Sequence, residues 1–349
     1  MSARAFHELT VARVESMTVD SAAVTFDVPE HLRATFTFAP GQSLTVRRGE
    51  ERRSYSICAP VGRPPRIGVR EVTGGAVSGW LVHDVRPGDV LDVQPPSGTF
   101  TPQLGTAEDH VLIAAGSGIT PMISIAGSLL AESPDATVTL VYGNRRSDSV
   151  MFADDVADLK DAYPQRMRLI HVLSREPQEV ELFNGRLDAG RLGTLLPAIV
   201  DVAGVDQWWL CGPFGMVTDA IEVLTALGVE RGRIHRELFY VEDVPPAVVR
   251  HDDAPLGAGS EATVVLDGRT TTLTVPAGMP ILDAAQRVRP DLPFACKGGV
   301  CGTCRARVTA GEVTMRRNYA LEDDEVAAGF VLTCQALPTT DAVTVDYDD

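Results

Sequence analysis

The sequence predicts a multidomain protein: an antiparallel β-barrel, then a doubly wound α/β domain, then a small α+β domain. Up to about Leu104, short β-rich runs alternate with turn residues, and from Gly105 strands alternate with longer helical periods. A stretch rich in Pro, Gly and acidic residues then precedes a last set of strands. We therefore assign residues 1–104, 105–240 and 261–349 to three domains and residues 241–260 to a linker.

The first domain is predicted to be a barrel because its β-rich runs are short and are separated by Pro-Gly and Gly-Asp turns. One segment, residues 78–85, has a helical pattern instead. It begins at Ser78, a residue type suited to capping a helix, so we expect the helix to start there.

The second domain is predicted to be a parallel sheet because apolar runs such as HVLIAA and VTLVYGN alternate with helical segments. In such folds ligands bind at the carboxyl ends of the strands. The third domain opens with a hairpin whose Asp267-Gly268 pair is a strong two-residue turn signal, and a short helix and further strands follow.

The composition excludes several partners. The formal charge of −16 comes from 31 basic and 47 acidic residues, and no block of Lys and Arg is present. Nucleic acid and anionic membranes are therefore not expected as partners. The first residues contain no apolar run long enough for a signal peptide or membrane span, so we expect a cytoplasmic protein.

Four of the six cysteines form a metal-binding pattern. They are spaced C-x4-C-x2-C with a distant fourth, which is the spacing of plant-type ferredoxins that hold a [2Fe–2S] cluster. Structural zinc usually takes two separated cysteine pairs, and disulfide frameworks belong to much shorter secreted chains. The predicted ligands are Cys296, Cys301, Cys304 and Cys334.

Two segments of the barrel have residues that suit a flavin. The run from Arg53 to Ser56 offers a fixed cation, an aromatic plane and hydroxyls, with Arg53 and Tyr55 on one face of the strand. Gly75, Ala76 and Ser78 lead into a helix, where free N–H groups suit a phosphate. By composition alone, each segment is explained by an ordinary strand and turn, which is the alternative to a flavin site.

A glycine-containing turn follows the first strand of the α/β domain. Residues 116–121 read GSGITP, in which Pro121 stands where the third glycine of a dinucleotide motif would be. Proline at the first turn of a helix also has a purely structural explanation.

These motifs together resemble the ferredoxin–NADP+ reductase superfamily. The matches are RSYS, GGAVS, GSGITP, the CGP at residues 211–213 and HRELF at residues 235–239. The resemblance implies that Arg53 binds the FAD pyrophosphate with Ser54 beside it, Tyr55 stacks on the flavin, and Ser56 lies near the reactive ring. It also implies that Phe239 closes over the flavin and that other residues contact the diphosphate or the pyridine nucleotide: Gly75, Ala76, Ser78, Gly116, Gly118, Thr120, Pro121, Cys211, Gly212 and Pro213.

Charge at the ends of the second and third strands favours NADPH over NADH. The second strand is followed by Arg145 rather than by a carboxylate, and the third by Ser174 and Arg175. The SRE triplet resembles the 2′-phosphate pocket of NADP-dependent members, and a guanidinium binds a phosphate by paired hydrogen bonds. A solvated loop arginine is the alternative interpretation of Arg175.

A hydride carries two electrons, whereas a [2Fe–2S] cluster accepts one, and a flavin can exchange either number. The order is therefore NADPH to FAD to [2Fe–2S] to an external acceptor. The last domain resembles the β-grasp fold of plant-type ferredoxins, and this domain order resembles the reductase components of bacterial multicomponent oxygenases. The resemblance implies a di-iron oxygenase component that epoxidises an aromatic ring; the alternatives are a reductase for another oxygenase or hydroxylase, and a scaffold with a structural metal.

Overall fold

The computed structural model describes residues 5–239, 259–321 and 323–349, without the side chain of Asp323. The described residues fall into two compact units, one within residues 5–240 and one within residues 241–349. Residues 241–258 of the predicted linker lie outside the described residues, and its last two residues begin a strand at Gly259.

Residues 5–104 fold as an antiparallel sheet in the order β4-β3-β6-β1-β2-β5. Ile57, just after β4, pairs with Ile67 of β5, so the two end strands of the sheet meet and the sheet closes as a barrel. Alternate apolar side chains such as Leu9, Val11 and Phe26 are buried in its interior. The elements are β1 (His7–Thr18), β2 (Ser21–Asp27), β3 (Ser43–Arg48), β4 (Glu51–Ser56), β5 (Arg66–Arg70), α1 (Ala76–His83) and β6 (Val90–Val93).

The predicted start of α1 at Ser78 is wrong. The helix begins at Ala76, with Gly75 in the capping position in an extended conformation. The Ser78 hydroxyl, inside the first turn, donates to the Gly75 carbonyl oxygen at 3.3 Å and accepts from the Val72 N–H at 3.1 Å. Its role is therefore to fold the turn before the helix back onto the helix rather than to cap it.

Residues 105–239 form a parallel sheet in the order β11-β10-β7-β8-β9 with helices between the strands. The predicted α/β class is confirmed. Its elements are β7 (Asp109–Ala115), α2 (Ile119–Glu132), β8 (Thr137–Asn144), α3 (Ala153–Ala162), β9 (Met167–Leu173), α4 (Ala189–Ile199), β10 (Gln207–Gly212), α5 (Phe214–Ala226) and β11 (Ile234–Leu238).

Strand β5 joins the barrel to the parallel sheet within the first unit. Gly68 lies so close to helix α2 of the α/β domain that a Cβ there would come within 2.4 Å of the Thr120 methyl group. Beside it, Arg66 pairs with Glu15 of the barrel at 3.1 Å and with Asp155 of α3 at 2.6 Å. The barrel and helices α2 and α3 of the α/β domain are therefore held together by packing and by charge.

The second unit has a mixed sheet in the order β13-β12-β18-β14-β16 and a two-stranded sheet of β15 and β17. Strands β12 and β18 are parallel, and the other pairs of this sheet are antiparallel. The elements are β12 (Gly259–Leu266), β13 (Arg269–Pro276), α6 (Ile281–Ala285), β14 (Arg305–Ala310), β15 (Val313–Met315), α7 (Asp323–Ala327), β16 (Phe330–Leu332), β17 (Ala336–Pro338) and β18 (Ala342–Asp346). None of the helices in the described ranges is long and apolar enough to cross a membrane.

Candidate functional site

The loops after β7 and β10 touch at the carboxyl end of the parallel sheet. Ala114 and Cys211 are paired in neighbouring strands, so the loops that follow them emerge side by side. A Cβ on Gly118 would lie 2.1 Å from the Cys211 carbonyl oxygen, which only glycine avoids. Gly116 has a φ of +56°, and the Thr120 hydroxyl donates to the Ser117 carbonyl oxygen at 3.0 Å. The predicted GSGITP and CGP motifs are therefore in direct contact.

Two residues that the sequence did not indicate hold the turn at Gly116. The Tyr142 hydroxyl donates to the Gly116 carbonyl oxygen at 3.0 Å. Arg70, on strand β5 of the barrel, lies beside Gly116, and its guanidinium donates to the Ser149 carbonyl oxygen at 2.9 Å. Tyr142 therefore holds the turn by a hydrogen bond, and Arg70 of the barrel lies against it.

Ser56, Cys211 and Glu237 form a polar group where the barrel meets the parallel sheet. Glu237 is paired with Cys211 across β10 and β11, and it accepts a hydrogen bond from the Ser56 hydroxyl at 3.0 Å. Burial raises the pKa of the Glu237 carboxyl to about 7, although the hydrogen bond from Ser56 opposes this shift. Burial also raises the pKa of the Cys211 thiol well above its usual range, so this thiol is neutral.

Phe239 lies just beyond the end of β11, with 36% of its surface exposed. It is two residues from Glu237, at the same end of the parallel sheet as the loop after β10. A partly exposed aromatic side chain therefore follows the strand that carries Glu237.

Strand β4 divides the predicted flavin residues between its two faces. Tyr55 is partly buried, and burial raises the pKa of its hydroxyl, which keeps the ring neutral. Arg53, on the same face by strand alternation, pairs with Glu51 at 3.1 Å. Ser54 points the other way, and its hydroxyl is 3.0 Å from the Thr45 hydroxyl. The arrangement provides an aromatic ring and a cation along one strand face.

The backbone of the turn before α1 has the conformation that a phosphate-binding site needs. Gly74 has a φ of +75°, and α1 starts immediately after Gly75, so the first N–H groups of the helix follow the turn directly. Arg48 donates to the Ala76 carbonyl oxygen at 2.8 Å and fixes the first turn of the helix to β3. Ser78 contributes through the backbone of this turn, as described above.

Arg145 and Arg175 come together at the ends of β8 and β9. The Arg175 N–H donates to the Arg145 carbonyl oxygen at 2.8 Å, and the Ser174 N–H donates to the Asn144 carbonyl oxygen at 2.9 Å. Both guanidiniums belong to exposed residues, and within the described chain neither is in a salt bridge. Arg186, which the sequence did not indicate, is brought to the same edge because the Gly185 N–H donates to the Leu173 carbonyl oxygen at 2.9 Å.

The four predicted ligand cysteines fit a two-iron cluster. Their thiols pair two by two, Cys296 with Cys301 and Cys304 with Cys334. All four donors are sulfur, which suits iron–sulfur chemistry.

The loop from Cys296 to Cys304 also supplies hydrogen bonds to sulfur. Two backbone N–H groups, of Gly298 and Val300, point at the Cys296 sulfur at 3.3 and 3.5 Å. Positive φ angles of +80° at Gly299 and +66° at Gly302 produce this tight loop. Such N–H groups stabilise thiolate and tune the cluster that it binds.

The cations beside the cluster loop are neutralised by neighbours. Lys297 pairs with Asp283 at 3.0 Å, and Arg305 pairs with Glu325 at 3.0 Å. Basic residues next to the ligands therefore do not by themselves make a positive surface there.

Comparisons with known proteins agree with this geometry. Residues 112–222 match the oxidoreductase NAD-binding domain, and residues 264–339 match the 2Fe-2S iron-sulfur cluster binding domain. The solved structure of phthalate dioxygenase reductase superposes with a TM-score of 0.60 at 23% identity, covering 98% of each chain, which shows a shared fold. Fold and site define a flavin- and iron–sulfur-containing oxidoreductase that uses NAD(P)H, FAD and a [2Fe–2S] cluster and serves as a reductase component.

Full-length relatives define the family. The chain is 43% identical to a subunit of the 1,2-phenylacetyl-CoA epoxidase of Escherichia coli (strain K12) over 351 residues, covering 98% of each chain. It is 33% identical to the 3-ketosteroid-9-alpha-monooxygenase, ferredoxin reductase component, of Rhodococcus rhodochrous, covering 97% of this chain and 96% of that protein. The chain belongs to the family of oxygenase reductase components that includes these two proteins.

Proposed function

We propose that this protein carries electrons from NADPH through FAD and [2Fe–2S] to the di-iron oxygenase component of a phenylacetyl-CoA ring epoxidase. The observation that carries the proposal is the 43% identity, over 98% of both chains, to the Escherichia coli protein named as a subunit of 1,2-phenylacetyl-CoA epoxidase. We further propose a cytoplasmic location, since thiolate cluster ligands favour a reducing compartment.

The proposed domains are residues 1–104 for FAD, 105–240 for the nucleotide and 261–349 for the cluster, with residues 241–260 as the linker. When bound, FAD supplies the conversion between a two-electron hydride and single electrons. Tyr55 would provide the aromatic surface for the ring, Arg53 and the backbone from Gly75 to Ser78 would hold the diphosphate, and Phe239 would shield the ring from solvent.

We assign proton handling to Ser56 and Glu237. The hydroxyl of Ser56 donates to the Glu237 carboxylate at 3.0 Å, so Ser56 can relay a proton between this carboxyl and a bound group by gaining one proton as it gives up the other. Because the pKa of Glu237 is raised to about 7, this carboxyl is near half protonation at neutral pH and can either give or take the proton. Cys211 stays a neutral thiol beside the pair and helps to exclude water.

NADPH preference is proposed from the adjacent loops that carry Arg145, Ser174 and Arg175. Two exposed guanidiniums without salt-bridge partners among the described residues suit a dianionic 2′-phosphate. Arg175→Ala should abolish the preference, measured as the ratio of kcat/KM for NADPH and NADH. Equal kcat/KM values for the two nucleotides in the wild-type protein would refute the proposal.

The acceptor is tested by reconstitution with purified oxygenase components. We expect NADPH consumption to depend on both the di-iron oxygenase and phenylacetyl-CoA, and the epoxide to form in equal amount. The 33% identity to the ketosteroid monooxygenase reductase favours an alternative, a reductase for another oxygenase. That alternative predicts transfer to a ring-hydroxylating acceptor and none to the phenylacetyl-CoA epoxidase components.

A further inference from the structure

A carboxylate joins the two loops that carry Arg145 and Arg175. Glu176 follows Arg175 directly and reaches the loop after β8. Its Oε2 accepts from the Ser147 N–H at 2.9 Å, and its two oxygens accept from the Ser147 hydroxyl at 3.0 and 2.9 Å. Together with the backbone bond from Arg175 to Arg145, these contacts connect the consecutive residues Arg175 and Glu176 to the loop after β8.

The loop held by Glu176 is also fixed on its other side. The Ser149 hydroxyl donates to the Arg146 carbonyl oxygen at 2.7 Å and accepts from the Arg146 N–H at 3.1 Å, which closes the loop on itself. The Ser149 carbonyl oxygen accepts from Arg70, which lies beside Gly116. The loop that follows Arg145 is therefore anchored at two points, at Ser147 by Glu176 and at Ser149 by Arg70.

We propose that Glu176 is a positioning residue that sets the spacing of Arg145 and Arg175 for the nucleotide 2′-phosphate by holding Ser147. This inference rests on the NADPH preference proposed above. Glu176 contacts the loop rather than the nucleotide, and its action on the phosphate passes through the two arginines.

A carboxylate at a phosphate subsite would be unfavourable if its charge were free. Here hydrogen bonds from Ser147, first the backbone N–H and then the hydroxyl, hold the pKa of the Glu176 carboxyl below its ordinary value. The negative charge is directed at these donors. The Glu176 side chain fixes the distance between the loops that carry Arg145 and Arg175. This distance determines whether the two guanidiniums can bind one phosphate together.

The test compares Glu176→Ala, Glu176→Gln and a control, Glu179→Ala, in the full-length protein with its cofactors. Glu179 is an exposed acid on the same loop and makes no hydrogen bond or ion pair with Ser147. The probes are 2′,5′-ADP, which has the 2′-phosphate, and 5′-AMP, which lacks it. Dissociation constants for both are measured by calorimetry.

We expect Glu176→Ala to weaken 2′,5′-ADP about tenfold and to leave 5′-AMP within about twofold. Glu176→Gln should retain wild-type affinity, because its amide oxygen still accepts from Ser147, and Glu179→Ala should change neither ligand. Equal gains in 2′,5′-ADP affinity for the Ala and Gln variants would show that Glu176 acts by repulsion and would overturn the proposal. Equal weakening of both ligands by Glu176→Ala would also overturn it, since that is general damage to the loop.

The same binding measurements distinguish failure of the NADPH preference from failure of the positioning role. If the wild-type protein binds 2′,5′-ADP no better than 5′-AMP, the 2′-phosphate subsite itself is refuted. If the wild-type protein and Arg175→Ala differ as proposed but Glu176→Ala behaves like wild type, only the positioning role is refuted.

Discussion

The Glu237 carboxyl should make the stability of the first unit depend on pH. It is paired with Cys211 across two strands and bonded to Ser56 of the barrel. Substitution by glutamine keeps an oxygen that accepts from Ser56 but removes the ionisation. The variant Glu237→Gln therefore isolates the free energy needed to charge this carboxyl in the folded protein.

The magnitude follows from the two pKa values. The pKa of Glu237 is about 7 in the folded chain against an ordinary value of 4.5. Because one pKa unit corresponds to about 1.4 kcal/mol, the difference is worth about 3 kcal/mol. Glu237 is only partly buried, so solvent screens part of this free energy, and we expect about 2 kcal/mol.

Whether stability rises or falls with pH depends on which state, folded or unfolded, binds the proton more tightly. The folded state does, so the stability is fully present below the unfolded pKa of 4.5 and is lost as pH rises through about 7. Glu237→Gln does not share this loss. The free energy of unfolding of the variant, relative to that of the wild-type protein, should therefore rise by about 2 kcal/mol between about pH 5 and about pH 9.

The assay is urea unfolding followed by tryptophan fluorescence. All three tryptophans, Trp80, Trp208 and Trp209, belong to the first unit, so the signal reports on that unit. FAD is kept at the same excess for both proteins, and Glu179→Gln, an exposed site, should show no pH-dependent difference. A free-energy difference between Glu237→Gln and wild type that stays constant over this pH range would refute the reasoning.

Two further substitutions test the close approach at the nucleotide loop and the cluster ligands. Gly118→Ala should lower kcat/KM for NAD(P)H about 100-fold, because the new Cβ would lie 2.1 Å from the Cys211 carbonyl oxygen and must displace a loop. The control is Gly193→Ala in α4, where no atom lies within 4 Å of the new Cβ, and it should leave kcat/KM unchanged. Cys334→Ser should lose the cluster, measured as bound iron and as visible absorbance, while NAD(P)H-dependent ferricyanide reduction through the flavin persists. Cys58→Ser, which removes a buried thiol from the first unit, should keep its cluster, and retention of full iron by Cys334→Ser would contradict the ligand assignment.

The sequence was informative wherever chemistry is encoded by local spacing. The confirmed fold class came from periodicity, and the cofactors came from motifs of a few adjacent residues. The ligand set from Cys296 to Cys304 is such a motif, since three donors and their glycines lie in nine residues. Only Cys334 depends on the fold for its position, because it reaches the loop from the end of β16.

Contacts between residues that are far apart in the sequence were not predictable. Ser56 and Glu237 are 181 residues apart, and no pattern in either segment indicates that strand β4 will face β11. Arg70 likewise supports the Gly116 turn from another module. The start of α1 was misplaced for a local reason, since serine suits a capping position but here hydrogen-bonds the preceding turn from within the first turn of the helix.

The placement of these groups divides the chemistry between the two compact units. Hydride transfer needs donor and acceptor atoms in near contact, so a small displacement is costly. The residues assigned to that step lie within residues 5–239, where Arg66 and Arg70 bind the barrel to the parallel sheet at two points. The predicted cluster ligands lie in the other unit, and a [2Fe–2S] cluster accepts single electrons, whose transfer does not require such contact. It follows that substitutions of Arg66 or Arg70 should affect the flavin-reduction step while leaving cluster assembly intact, because both arginines belong to the first unit and the N–H groups that point at the Cys296 sulfur come from the ligand loop itself.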